Sequence, residues 1–203
     1  MSGAAGSHRG TIFLEDAAVL AHQAFKGGQY VMRLLAPRCA AAATPGAFIH
    51  LTCGPELPMR RPLSIMRADP AAGTIELLYK IVGRGTAELA KRQTGERLSC
   101  LGPIGRGFTA HPARPRALLI GGGVGIPPMV FLAESLAAAR GAGWKPLVFM
   151  GSELPFPFEL ARSRIAVLGI PAAATASMPL LEDLGVACRL ASLSGFEGCH
   201  RGY

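Results

Sequence analysis

The sequence predicts an antiparallel β-structure followed by a parallel α/β-structure, and three observations support this fold class. Up to about residue 110, short extended segments alternate with turn sequences. A basic, proline-rich connector, HPARPR, then occupies residues 111–116. Beyond it, an apolar segment ends in a cluster of glycines and leads into a helical pattern, which is typical of a parallel, doubly wound sheet.

The first half contains segments with the composition and spacing of β-strands. They are QYVMRLLA, AFIHLTC, PLSIMRA, TIELLYKIV and ERLSCLG, separated by the turn sequences TPG, DPAAG and QTGE. Short strands divided by turn residues are typical of an antiparallel barrel or sandwich. A single helical segment, GTAELAKRQ, interrupts them directly after a glycine-rich turn.

The second half follows the order strand, helix, strand. ALLIGGG is an apolar strand that ends in glycines, IPPMVFLAESLAAARGAG is a helix that begins with prolines and ends with glycine, and PLVFMG is another buried strand. A second helix is predicted over FPFELARS, and a further strand over VACRLASL.

Composition indicates a soluble, cytoplasmic protein. Half of the 203 residues are hydrophobic, which is enough for a sizeable core, and the N-terminus lacks the charged-then-apolar order of a secretory signal. No run is long enough for a membrane span, so no membrane association is expected. The cysteines include no C-x-x-C pair, so neither a disulfide framework nor a metal site is predicted.

The positive charge favours ligand phosphates over nucleic acid. The net charge is +8, and the interval from Arg60 to Arg116 contains eleven Lys and Arg against four Asp and Glu. These cations alternate with glycines and apolar residues instead of clustering on one helix face. With one Trp and three Tyr, the chain also offers few platforms for stacked bases. We therefore expect no nucleic-acid partner.

The first motif that carries chemistry is MRRPLSI, residues 59–65. A guanidinium held beside a backbone stiffened by proline suits a phosphate, because it is permanently charged and matches two oxygens at once. In a strand, Arg61 and Leu63 project to one side and Ser64 to the other, so the segment could hold a ligand from two sides. The alternative is a solvated pair of charges before an edge strand.

The second motif is LYKIVGRGTAEL, residues 78–89, in which a strand, two glycines and a threonine lead into a helix. Free backbone amides and the helix dipole make such a turn an anion site. Equally, the turn could be simple capping, with Thr86 as the N-cap.

The third motif is IGGGVGIPPM, residues 120–129, after the first strand of the parallel sheet. It departs from the G-x-G-x-x-G fingerprint, since prolines follow the glycines, and a stiff, wide turn is expected in place of close helix packing. The alternative is an ordinary strand-to-helix turn.

Taken in order, these motifs resemble those of the ferredoxin reductase superfamily. Within it, the chain looks most like the family of dihydroorotate dehydrogenase electron-transfer subunits, on the segments RRPLSI, LYKIVGRGTAELA, LGPIGRGF and LLIGGGVGIPPM. The resemblance covers residues 12–195. It implies an antiparallel FAD-binding β-barrel at 11–112 and a truncated, parallel-sheet NAD-binding-like α/β domain at 113–203. The composition of residues 1–10 predicts a flexible N-terminus before the barrel.

The resemblance also implies which residues contact the flavin. Arg61, Pro62, Leu63 and Ser64 match the first flavin segment, in which Arg61 neutralises an FAD phosphate and Ser64 hydrogen-bonds the flavin. Leu78, Tyr79 and Lys80 match the segment that lies along the flavin, and Gly85 and Thr86 match the turn that meets the pyrophosphate.

A nicotinamide site follows from the same resemblance. Gly121, Gly122, Gly123, Gly125 and Pro127 match the turn at which a nicotinamide approaches the flavin ring. No side chain is expected to act as a catalytic acid or base, because the cofactors carry the chemistry and the protein positions them.

The function that the resemblance implies is that of an oxidoreductase subunit in pyrimidine biosynthesis. It would pass electrons between NAD(H), FAD, a [2Fe-2S] cluster and a dihydroorotate dehydrogenase catalytic subunit, in a hetero-oligomer. Two alternatives remain open: another flavin reductase of the superfamily, serving a hydrogenase, a sulfite reductase or ferredoxin, and a non-catalytic truncated relative.

The C-terminal part departs from the family pattern. The family binds its cluster with closely spaced cysteines followed by a more distant fourth, whereas Cys188 and Cys199 stand alone. We therefore expect no cluster ligands in this chain and an α/β domain that stops early. The acidic DDG of the family is also missing near LASLSGFEG.

Overall fold

The computed structural model describes residues 10–139 and 143–202. The flexible N-terminus predicted for residues 1–10 therefore lies outside the described residues except for Gly10. The same is true of residues 140–142, near the end of the helix predicted over 126–143.

The first half folds into a closed, antiparallel six-stranded barrel, which confirms the predicted β-domain as a barrel. Its strands are β1 (Phe13–Phe25), β2 (Gln29–Leu35), β3 (Phe48–Leu51), β4 (Arg61–Asp69), β5 (Thr74–Lys80) and β6 (Arg97–Ile104). Their order around the barrel is β1-β2-β5-β4-β3-β6. Two short helices accompany them, α1 (Pro37–Ala42) and α2 (Arg84–Leu89).

The barrel interior is filled by the inward residues of each strand. On β5, Ile75, Leu77 and Tyr79 belong to one buried cluster, as the two-residue period of a strand requires. Leu78 points the other way, into a second cluster that lies under the α/β sheet. The barrel wall at this point is therefore buried on both faces.

The second half is built on a parallel sheet, again as predicted. Its strands are β7 (Leu118–Gly122), β8 (Leu147–Gly151) and β11 (Ala187–Ala191), in the order β11-β8-β7. A 3₁₀ turn at Gly123–Gly125 leads into α3 (Ile126–Ala138), and α4 (Pro179–Asp183) precedes β11. A separate two-stranded antiparallel sheet pairs β9 (Ala161–Arg162) with β10 (Ala176–Ser177).

The prediction of a helix over FPFELARS is wrong. Residues 156–160 form no helix, and Ala161–Arg162 pair as β9 with β10. Pro157 contributes to this, because it disfavours helical backbone at Phe156, the first residue of the predicted helix. Phe156 and Phe158 pack against each other instead, with ring centroids 5.4 Å apart.

The two halves share an interface between α3 and the outer wall of the barrel. Met66 of β4 and Leu78 of β5 are buried in the same cluster as Ile126 and Val130 of α3. At the edge of this contact, the Arg67 guanidinium forms an ion pair with Glu134, Nη2 to Oε1 at 2.9 Å. The glycine turn before α3 is thereby held against the barrel.

Two further features concern the cysteines and the lengths of the helices. Cys39, Cys53, Cys100 and Cys188 are buried free thiols, so most of the cysteines are small residues of the core. Within residues 10–139 and 143–202, no helix is long and apolar enough to cross a membrane.

Candidate functional site

Arg61 and Gly85 meet in space although they are far apart in the sequence. Gly85 is buried in the first turn of α2, and the Arg61 guanidinium lies against it. A Cβ atom at residue 85 would be 2.8 Å from Cζ of Arg61, so no larger residue fits without moving the arginine. The structure therefore joins the first and second sequence motifs into one cradle.

The Arg61 side chain is held by neutral groups only. Its Nη1 donates to the carbonyl oxygens of Met59 at 3.1 Å and Arg60 at 3.3 Å. In the part of the chain that the structure describes, no carboxylate lies within 4.0 Å of the guanidinium. The positive charge is thus left available to an anion from outside the protein, which a surface ion pair would not allow.

The other residues of the first motif take the sides that the strand pattern predicts. Leu63 points into the barrel core, whereas Pro62 is exposed and Ser64 is half-buried. Among the described residues, no group hydrogen-bonds the Ser64 hydroxyl. Ser64 is therefore the one hydroxyl of this motif that is free to contact a ligand.

Thr86 does not cap α2 as its N-cap residue. The helix begins at Arg84, so Gly83 occupies the cap position and Thr86 lies in the first turn. Its Oγ1 accepts from the Val82 N–H at 3.0 Å and donates to the Gly83 carbonyl at 3.1 Å. The hydroxyl closes the turn, and it would have to release the Gly83 carbonyl to donate to a ligand.

Three different environments surround the side chains of Leu78, Tyr79 and Lys80. Leu78 packs under α3, Tyr79 points into the barrel, and Lys80 is exposed at the end of β5. The Tyr79 hydroxyl is 2.7 Å from Nε2 of His22, and burial raises its pKa above the usual range. A ligand along this segment would therefore meet its backbone and Lys80, not the tyrosine ring.

The glycine turn packs more closely than the sequence suggests. A Cβ at Gly121 would lie 2.8 Å from the Gly125 carbonyl and 3.2 Å from Cα of Ile126, so strand and helix approach closely here. Pro127 is buried within α3 instead of lining a cavity. Because prolines lack an N–H, this helix start offers few amide donors for a phosphate.

A cavity of about 700 Å³ opens at the carboxyl ends of the parallel strands. Gly121 and Gly122 line it from β7, Gly123 lines it from the 3₁₀ turn, and Lys80 lines it from the barrel. The cavity thus connects the predicted flavin segment with the predicted nicotinamide turn. Ligands of open α/β sheets bind at this edge of the strands.

Sequence reasoning did not identify several residues of this cavity. Among them are Gln29 from the barrel, Glu153 and Leu154 after β8, and Arg189 on β11. An isolated arginine inside the apolar segment VACRLASL was a visible signal for Arg189. Gln29 had no such signal, because a polar residue at the start of a strand is ordinary.

Arg189 is part of a buried polar network behind the cavity. Its Nη1 donates to Ser163 Oγ at 2.8 Å and its Nη2 donates to the Ile165 carbonyl at 2.6 Å. Ser163 in turn donates to Oε1 of Glu182 at 2.6 Å. Because these bonds tie the segment before β10 to β11, Arg189 and Glu182 hold one wall of the cavity in place.

The described residues do not fit an iron–sulfur cluster. No group of three or more His, Cys, Asp or Glu side chains among them could hold a metal ion. Burial raises the pKa of both Cys188 and Cys199, which disfavours the thiolate form that a cluster requires.

Comparison with known sequences identifies relatives that are named as electron transfer subunits. No family model matches the chain. A "dihydroorotate dehydrogenase B (NAD(+)), electron transfer subunit" of Desulforamulus reducens is 39% identical over 124 residues, 60% of this chain and 47% of the relative. The protein of the same name from Listeria monocytogenes is 44% identical over 107 residues, 51% of this chain and 42% of the relative. The chain spans about half the length of the curated relatives it matches.

Comparison with solved structures supports the architecture over nearly the whole chain. An NADH-dependent reduced ferredoxin-NADP oxidoreductase matches with a TM-score of 0.68 at 20% identity, over 92% of this chain and 59% of the other. The ferredoxin reductase of carbazole 1,9a-dioxygenase matches with a TM-score of 0.65 at 22% identity, over 89% and 50%. The chain therefore has a ferredoxin reductase-like fold and is homologous, over as much as 60% of its length, to electron transfer subunits of dihydroorotate dehydrogenase B.

Proposed function

We propose that the chain is an FAD-binding electron-transfer subunit of an oxidoreductase, exchanging electrons with NAD(H) and serving a dihydroorotate dehydrogenase catalytic subunit. The names of its sequence relatives supply the reaction class and the kind of partner. The observation that carries the proposal is the cradle of Arg61 over Gly85. Within residues 10–139 and 143–202, the Arg61 guanidinium has no carboxylate partner, and it lies next to a helix turn that admits no larger residue.

The residues of the cradle fit FAD. Arg61 would pair with a phosphate of the pyrophosphate, the Gly85 backbone would let that group approach, and the free Ser64 hydroxyl would bond the flavin. Leu78, Tyr79 and Lys80 would support the ring through their backbone, and Thr86 would keep the turn closed. Bound FAD supplies the conversion between two-electron exchange with a nicotinamide and one-electron transfer to a partner.

The cavity at the glycine turn fits NAD(H). Gly121, Gly122 and Gly123 present backbone without side chains, so a flat ring could lie close to the sheet edge. Lys80 reaches the same space from the barrel. The nicotinamide would therefore enter between the two halves, with Gly125 and Pro127 shaping the turn behind it.

A spectroscopic titration tests the proposal. The purified chain is mixed with FAD, and NADH is then added without oxygen. We expect flavin absorbance bands that are red-shifted on binding and that bleach with NADH. Arg61→Gln should weaken FAD binding tenfold or more, about the strength of a charge-assisted bond. Arg162→Gln, which removes an exposed arginine on β9, is the matched control. A chain that binds no FAD would refute the proposal.

The partner is tested separately. The FAD-loaded chain is mixed with a dihydroorotate dehydrogenase catalytic subunit, and complex formation is measured by sedimentation. We expect a hetero-oligomer whose dihydroorotate-dependent reduction of NAD⁺ exceeds that of either component. A bound, NADH-reducible flavin without such a complex would leave the flavin assignment intact and reject this partner.

A further inference from the structure

The side-chain amide of Gln29 is fixed in one orientation. Its Nε2 donates to the Lys26 carbonyl at 3.0 Å and to the Pro155 carbonyl at 2.7 Å. Both neighbours are acceptors, so only the NH₂ end of the amide can face them. Both N–H groups are used, and the Oε1 atom must point away from these two carbonyls.

The Oε1 atom of Gln29, a residue of the cavity lining, is left without a donor in the part of the chain that the structure describes. Gln29 lines the cavity although it is 6% exposed, and no donor among the described residues bonds to its Oε1. In the same part of the chain, the fully buried side-chain nitrogen and oxygen atoms that lack a hydrogen-bond partner are Ser177 Oγ and Arg189 Nε. Oε1 is not among these fully buried atoms, so part of its surface is accessible, and Gln29 is one of the residues that line the cavity.

The backbone around Gln29 keeps this acceptor in place. Gly27, at φ 77°, lets the turn between β1 and β2 pack against Leu154, whose Cδ1 would be 2.7 Å from a Cβ at residue 27. The Pro155 carbonyl that receives Nε2 follows directly. Gln29 also pairs with Lys80 across the barrel strands. The amide is therefore anchored from both halves of the molecule. It lies beside Lys80, the residue that belongs to the predicted flavin segment and also lines the cavity of the predicted nicotinamide site.

We infer that Gln29 is a recognition residue for the nicotinamide carboxamide, with Oε1 accepting one of its N–H groups. The inference rests on the proposed NAD(H) site and adds a specific contact to it. A carboxamide carries two N–H donors, and a preset acceptor discriminates against a ring that lacks them, because the acceptor then loses water without gaining a partner.

Equilibrium binding to the FAD-loaded full chain tests the inference. Dissociation constants are measured by calorimetry for NAD⁺ and for its 3-acetylpyridine analogue, which has a methyl group in place of the carboxamide NH₂ and the same net charge. The wild-type chain should bind NAD⁺ about five- to tenfold more tightly, the range expected for one neutral hydrogen bond. In Gln29→Met and Gln29→Ala, the ratio of the two constants should fall to about one.

The ratio of the dissociation constants for NAD⁺ and its analogue distinguishes a recognition role of Gln29 from a purely structural one. If Gln29 only holds the two halves together, its loss weakens both ligands equally and the ratio stays at its wild-type value, which would overturn the inference. A wild-type ratio of one would also overturn it, without any variant. Gln23→Ala, an exposed glutamine on β1, should keep the wild-type ratio. If the wild-type chain binds FAD but neither nucleotide, the proposed NAD(H) site itself is wrong.

Discussion

Gly85 is the residue on which the shape of the candidate flavin site depends most directly. The Arg61 guanidinium occupies the space that any side chain at residue 85 would need. In Gly85→Ala, the arginine must move while the short helix around it keeps its backbone, because alanine favours helical conformations. We expect FAD affinity to fall about tenfold or more, measured by fluorescence titration of the flavin, with little loss of thermal stability.

Gly83→Ala is the matched control for this change. Gly83 has an extended backbone, and a Cβ there would meet nothing within 4 Å. The same methyl group added two residues away should leave FAD affinity unchanged. Equal losses in both variants would show that the turn, and not the position of Arg61, determines binding.

The hydroxyl of Tyr79 makes a second testable contact, inside the barrel. His22 Nδ1 lies 2.7 Å from the Arg92 carbonyl, so it must be the donor, and in the neutral ring Nε2 then accepts from the Tyr79 hydroxyl. Tyr79→Phe leaves Nε2 without a donor and should lower the free energy of unfolding by about 1 kcal/mol in urea denaturation. Tyr30→Phe should change it by less than about 0.5 kcal/mol, because Tyr30 stacks on Tyr79 through its ring. Similar losses in both would exclude the hydrogen bond as the cause.

At the scale of elements, strands in which apolar residues recur at every second position could be predicted from the sequence, and strands without this pattern could not. The first residues of β4 and β5 alternate between buried and less buried positions, and both strands carry β-branched or aromatic residues, so the sequence pattern identifies them. β1 is the longest strand, yet its sequence FLEDAAVLAHQAF is rich in alanine and mixes polar with apolar residues. Its conformation comes from pairing with β2 and β6, which no local pattern contains.

The candidate site shows the same limit. Glycine turns and the R-P-x-S segment were predictable because their chemistry is local to a few residues. The contact of Arg61 with Gly85 depends on how β4 and α2 meet in the barrel. Gln29 enters the cavity only because the β1–β2 turn reaches the loop after β8. Tertiary contacts of this kind leave no trace in the spacing of residues.

The short helix α4 gives the protein a predictable response to acid. Burial of Glu182 works against its ionisation, but hydrogen bonds from Ser163 and the Arg164 backbone hold its pKa below the ordinary value of 4.5. The folded state then binds a proton less readily than the unfolded chain. The stabilisation is therefore complete above pH 4.5 and is lost as the pH falls through the lower, folded-state pKa.

Glu182→Gln should lower the free energy of unfolding at pH 7 by about 2 kcal/mol, the value of hydrogen bonds to a charged group. The difference from the wild type, followed by urea denaturation from pH 7 to pH 3, should shrink on acidification. Asp183→Asn is the control, since Asp183 pairs with Arg164 at the surface. A difference that is independent of pH would contradict the assignment.

For the whole molecule, the shared cluster of Met66 and Leu78 with α3 predicts that barrel and sheet unfold together. Trp144, the only tryptophan, packs against this cluster and reports on the sheet, while hydrogen exchange in β2 reports on the barrel. Met66→Ala should remove roughly 2–5 kcal/mol of packing. The lost packing lies between the barrel and the sheet. We therefore expect the urea midpoint reported by Trp144 and the midpoint reported by hydrogen exchange in β2, which coincide in the wild type, to separate.

Met59→Ala makes the same substitution at an exposed methionine just before β4, and it should leave both midpoints in place. If Met66→Ala shifts both midpoints equally, the two halves form one cooperative unit that does not depend on this contact. In that case the position of the glycine turn against the barrel would rest on the Gln29 and Arg67 contacts instead, and variants at those residues would have to show the separation.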